Sequence, residues 1–161
     1  MRKLLIIIIL ASQTCFAQKK KQGSVGAMVN YVLSKNMNRD ALMDSPKGTA
    51  YFFTIALVFN GEGKIDTALF SKQLDHKTAT VMGLNASLVK KIKEQQVTYT
   101  TFASKVVVVP LFFFRATDAG IDYSTGFVNA IQNLLPGDDP LFWGKPQVIV
   151  DPVINPFVEH H

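Results

Sequence analysis

The residues able to do chemistry are few and scattered. Apart from the terminal pair His160 and His161, the only histidine is His76, which follows Asp75 in a polar connection. A relay of serine, histidine and aspartate would have to use Ser71 or Ser87. Neither sits in a G-x-S-x-G elbow, and His76 reads as an exposed loop residue. Glu62 and Asp66 form a carboxylate pair of the kind glycoside hydrolysis requires, but they fall at the tip and first rung of a turn, where solvation is the simpler reading. Asp118 with Asp122, and Asp138 with Asp139, offer oxygens to calcium without the spacing of a calcium loop. One internal histidine cannot supply a zinc site. No phosphate loop of the type G-x-x-x-x-G-K-[ST] occurs, and Gly61 and Gly63 alone are too short to count. The expectation is a chain with no catalytic residue, no metal and no cofactor.

Recognition is the remaining possibility. Trp143 and Phe142 lie in the proline- and glycine-flanked run PLFWGKP, where an aromatic side chain can anchor a partner or fold back on the core. Tyr99 and Phe102, in the polar run VTYTTFAS, are open to the same two readings. Pro110 interrupts the apolar run KVVVVPLFFFR and lacks the amide that a central strand would donate. Either that strand carries a bulge, or one of its edges has no partner and invites a strand from another chain.

The address comes from the first residues. Arg2 and Lys3 precede the apolar run LLIIIILA, and Cys15-Phe16-Ala17 makes a small-x-small cleavage signature. The run is far shorter than the ~20 residues of a membrane span. Residues 1–17 are read as a cleaved secretory signal, which predicts an exported protein of the periplasm or the exterior, without stable membrane insertion. Lipid attachment at Cys15 is the alternative, but Gln13 fits that motif poorly. Cys15 is the only cysteine, so the 144 residues after cleavage must fold on their core alone, without a disulfide. An apolar fraction of 48% is enough for a core. The net charge of +5 loses two cations with the leader, and the remaining lysines are dispersed except for Lys19, Lys20 and Lys21. Residues 18–23 read as a basic flexible terminus, and no basic stripe suggests nucleic acid.

The element that positions everything else is residues 49–71, a β-hairpin around Asn60-Gly61-Glu62-Gly63. Its first arm places Tyr51, Phe53, Ile55, Leu57 and Phe59 on one face, a bulky surface that something must cover. Its second arm alternates Ile65, Thr67 and Leu69 against Asp66, Ala68 and Phe70. Ser24 caps a helix over 25–35, with Val25, Met28, Val29, Val32 and Leu33 in one stripe. Asn85 caps another to Glu94, with Leu88, Val89 and Ile92 inward and three lysines outward. Residues 36–48 and 75–83 read as connections. Residues 105–115 are a covered strand. Ser124 caps a third helix over 125–135, stopped by Pro136-Gly137. From residue 138 the chain is proline-punctuated and extended, with one short strand candidate at 147–150. His160 and His161, native or a tag remnant, carry no function.

The order helix, strand, strand, helix, strand resembles the C-terminal domain of the TonB family, over residues 48–115. The hairpin FNGEGKID, the helix NASLVKKIKE and the strand VVVVPLFFF carry the resemblance. It implies a fold. Without a long signal anchor or a proline-rich spacer, and with added sequence after Arg115, the family's role of coupling two membranes is not implied. The expected architecture is a single α+β domain over 24–137, a small antiparallel sheet with helices packed on one face, followed by a proline-rich extended segment over 138–161. The expected function is a non-enzymatic protein-interaction module, with an envelope protein paired at a strand edge as partner. The alternatives are a small-molecule or glycan carrier, with a pocket between sheet and helices lined by Phe52, Phe112 and Phe114, and a hydrolase using carboxylates.

Overall fold

The computed structural model describes residues 24–72, 74–120, 140–142 and 144–158. The expected helix over 125–135, Trp143 and the leader lie outside them. In chain order the elements are α1 (Val25–Ser34), α2 (Arg39–Met43), β1 (Ala50–Phe59), β2 (Ile65–Phe70), α3 (His76–Val81), α4 (Ala86–Lys93), a 3-10 turn (Thr100–Phe102), β3 (Val106–Arg115), a second 3-10 turn (Pro140–Phe142), β4 (Gln147–Ile149) and β5 (Val153–Phe157). The fold is α+β, as the sequence predicts. Ser24 and Asn85 cap their helices through side-chain oxygens that accept from the amides of Ala27 and Leu88.

β1 is the centre of the helix-covered core. It pairs antiparallel with β2 on one side and with β3 on the other. Its odd-numbered residues Tyr51, Phe53, Ile55, Leu57 and Phe59 are all buried, together with Val107, Val109, Leu111 and Phe113 of β3. Val25, Val29, Val32 and Leu33 of α1 and Leu88 and Ile92 of α4 cover them. The opposite face has its own cluster, in which Phe142 closes over Ala56, Val58, Val106 and Val108.

Four expectations change. The sheet is mixed rather than antiparallel, because β4 and β5 both run parallel to β3. The second hairpin arm does not alternate simply. Phe59 pairs with Ile65 and Val58 with Thr67, so Asp66 is an extra residue in a bulge. That puts Ile65 and Ala68 on the buried face together and leaves Asp66 in solvent. The two connections hold short helices. Asn38 caps α2 and Asp75 caps α3, each accepting an amide three residues on. Finally, the C-terminal segment contributes two strands where one was expected. β5 was hidden because Pro156 within it reads as a breaker.

The hairpin turn is docked onto the segment before β3. Asn60 Oδ1 accepts from the amides of Glu62 and Lys64, at 2.9 and 3.0 Å. The amide of Tyr99 donates to Gly63 O at 2.7 Å, and that of Ser104 to Asn60 O at 2.9 Å. Gly63 has φ +77°, and a Cβ there would lie 2.6 Å from the Tyr99 carbonyl oxygen. Gly63→Ala therefore combines left-handed strain with displaced backbone, and should destabilise by about 2 kcal/mol or more. At Gly61 a Cβ would meet only the Ser104 hydroxyl, at 3.8 Å. Thermal unfolding of the two alanine variants should show a lowered Tm for the first and little change for the second.

Candidate functional site: the outer edge of the sheet and the cleft beside it

The edge of β3 away from β1 is where Pro110 matters. Backbone groups of even-numbered residues on β3 point to that edge: Val106 N donates to Pro146 O and Val108 O accepts from Val150 N, and just past the strand Ala116 N donates to Phe157 O. Pro110 is in this set, so its missing amide costs nothing in the ladder with β1, where it faces Thr54. The deficit falls on the other side. In the register of β4, the next two bonds of the parallel ladder would come from the nitrogens of Pro110 and Pro152, and neither carries a hydrogen.

The chain responds with an insertion. Between the pairs Val108↔Ile149 and Leu111↔Val153, β3 spends two residues and the C-terminal segment three, Val150, Asp151 and Pro152. The bulge anticipated for β3 is thus on its partner. The edge expected to await another chain is filled by the protein's own C-terminal segment. Pro110 itself is a ladder residue, which corrects its reading as a contact site.

This bulge walls one end of a surface cleft of about 470 Å³. Ser24, Val25, Gly26 and Ala27 at the start of α1 form a second wall, and Tyr99, Thr101 and Phe102 a third. Two of the five residues singled out in the sequence, Tyr99 and Phe102, therefore meet in one place. Their rings lie 6.4 Å apart, and both pack on Phe59, at 5.9 and 5.7 Å. Tyr99 is only 5% exposed. Burial raises the pKa of its phenol above the ordinary value. Tyr99 is thus chiefly a core residue with one edge on the cleft. Phe142, at 6% exposure, is also a core residue, on the other face of the sheet. Its reading as a partner anchor gives way to the alternative in which it folds back.

The candidate reactive groups have structural roles. The Asp75 carboxylate caps α3, accepting from the amide and hydroxyl of Thr78. His76, the next residue, is exposed in the first turn of that helix. The Ser71 hydroxyl accepts the Thr54 amide at 2.8 Å. Glu62 pairs with Lys64 at 2.7 Å in full solvent, and this neighbour lowers the Glu62 pKa and raises that of Lys64. Phe52, Phe112 and Phe114 do form a ring cluster, with centroids 6.0 and 5.4 Å apart. They occupy the face of β1 and β3 opposite α1 and α4, however, so no pocket between sheet and helices can have them as its lining. Among the described residues no group of three histidine, cysteine, aspartate or glutamate side chains could hold a metal. Nor is any described helix long and apolar enough to cross a membrane.

One buried charge escaped the sequence reading. Arg115, 5% exposed, donates through Nη2 to Met43 O and Ser45 O at 2.8 and 2.7 Å. Its Nη1 lies 3.8 Å from Asp118 Oδ1, and Asp118 Oδ2 accepts the Gly48 amide at 2.5 Å. A single cation ending an apolar strand ordinarily signals an exit into water, so the sequence held no cue to its burial.

What distinguishes the surface is the outer side of β4 and β5. Ile149 and Ile154 are 63% and 59% exposed, and both point to the same face of the sheet as Val108 and Phe112, their pairing partners. Among the described residues no strand pairs with this outer side. The alternation of β5 turns Pro156 outward, which removes one amide from the exposed row and limits indiscriminate pairing. No family model, curated protein or solved structure matches the chain.

Proposed function

We propose that this chain is an exported, non-enzymatic protein-interaction module, and that its contact surface is the outer edge of β4 and β5. The carrying observation is the pair Ile149 and Ile154, two β-branched side chains held in water by the short edge strands β4 and β5. Apolar side chains so placed gain by being covered, and the adjoining amides and carbonyls of β4 offer a short ladder to a partner strand. The engagement of Asp75, Ser71, Glu62 and Asp118 in caps, bonds and ion pairs supports a binding role over a carboxylate hydrolase. The leader-like residues 1–17 support export, and the partner is accordingly a protein of the envelope or the exterior.

Ile149→Lys combined with Ile154→Lys tests this directly. Both side chains are mostly in solvent, so the variant should keep the native Tm. The native chain, immobilised, should retain a protein from envelope or culture fluid that the variant does not. Equal retention by both, or retention by neither, would reject the outer edge as the contact surface.

A further inference from the structure

The geometry points to a second property of the same segment: residues 140–158 form a strap that a second copy of this chain can supply in place of the resident one. The strap is bound as a ligand would be. β4 contributes three ladder positions and β5 five, and the unpaired interval that holds Pro110 and Pro152 divides them. Apart from Phe142, no described side chain of the strap is buried to the degree of the central strands, while β1 and β3 are buried almost throughout. What holds it is specific: Val153 and Phe157 pack at the margin of the core, and Asn155 exchanges two hydrogen bonds with Asn30 of α1, at 3.1 and 2.9 Å.

A second copy is the occupant these features select. The features that fit the edge are the amides of Asn155 matched to Asn30, a residue insertion matched to Pro110, and two apolar side chains spaced for the core. Every copy of the chain carries that combination. Residues 116–139, which join β3 to the strap, number 24, and with the helix expected over 125–135 their length still allows a reach of up to ~60 Å, enough for a neighbouring molecule. Exchange reproduces every contact of the monomer between two molecules and needs no new complementarity. It also leaves Ile149 and Ile154 on the surface, so it stands or falls separately from the outer-edge proposal.

Phe112 and Ile154 are directly paired on neighbouring strands, as are Val108 and Ile149. Adjacent strands bring such Cα atoms within disulfide range. In a chain carrying Cys15→Ser, the double substitution F112C/I154C reports which molecule supplies the strap, and V108C/I149C provides the same readout should the first pair fold poorly. The protein is concentrated to the millimolar range, incubated, separated by size, and each fraction is oxidised and run under non-reducing denaturing conditions. The monomer fraction should close an intrachain bond and the dimer fraction an interchain one, giving a covalent dimer. Asn155→Ala should speed appearance of the dimer about tenfold by removing both bonds to Asn30. In the native monomer the amides of Val148, Val150 and Asn155 should exchange with deuterium far sooner than those of β1. A protein that stays monomeric throughout, a dimer whose bonds are all intrachain, or strap amides protected as long as β1, would each overturn the proposal.

Discussion

Phe59→Ala should be among the most damaging single substitutions in the chain, lowering stability by about 3–5 kcal/mol. Phe59 is the last residue of β1, fully buried, and pairs with Ile65 beside the Asp66 bulge. Its ring is the common neighbour of Tyr99 and Phe102. Truncation to alanine removes its apolar area from the core and leaves a space that those two rings cannot fill without moving. They are held from behind by the backbone bonds between residues 99–104 and the hairpin turn. The cost therefore combines lost transfer energy with an uncollapsed cavity, which is the reason for placing it at the upper end of core substitutions. Phe59→Leu keeps most of the volume and should cost about 1–2 kcal/mol. Denaturant unfolding followed by tyrosine fluorescence checks both values, and a loss below ~1 kcal/mol for the alanine would contradict the central place given to this ring.

The parts legible in the sequence are those set by local patterns. The stripes of α1 and α4, their caps at Ser24 and Asn85, and the apolar face of β1 follow from periodicity and a side-chain oxygen at the right offset. What stayed hidden depends on partners distant in sequence. Asp66 reads as one more alternating residue until the pairing of β1 with β2 counts it out as a bulge. Pro110 raises a correct question about the edge of β3, but the answer lies about forty residues further on, in Pro152 and the inserted residue beside it. β5 is disguised because Pro156 argues against a strand unless its nitrogen is known to face solvent.

The candidate site follows the same division. Tyr99 and Phe102 could be singled out by type, as aromatic residues in a polar run. Their meeting with the start of α1 and with Val150–Pro152 is a product of tertiary packing alone. Ile149 and Ile154 drew no notice in the sequence, since a β-branched residue in a short strand is ordinarily assigned to the core. Their exposure follows from two facts of topology. The C-terminal segment lies at the edge of the sheet, and its other face, with Val148, Val153 and Phe157, is the one turned toward the helices.

Arg115→Met is the second substitution expected to have a large effect, about 3–5 kcal/mol, and it reads the other end of β3. Methionine nearly preserves the length of the side chain, so the loss reports on the guanidinium. That group gathers four pieces of chain: the carbonyl of Met43 at the end of α2, the carbonyl of Ser45 after it, the carboxylate of Asp118, and the face of Phe157 with its ring centroid 5.8 Å away. Removing the cation leaves two carbonyls and a carboxylate without their common donor at the wall of a surface cleft; the Asp118 carboxylate keeps only the Gly48 amide, and the loss of the charge beside it dominates the cost. Asp118→Asn keeps an acceptor for the Gly48 amide and removes the negative charge, so it should cost less than Arg115→Met. In the double variant Arg115→Met/Asp118→Asn the buried carboxylate is gone, and part of the loss should be recovered. Urea unfolding of the four proteins gives the coupling energy. Strict additivity would show that the two residues act independently, and that the end of β3 is held by the carbonyl contacts alone.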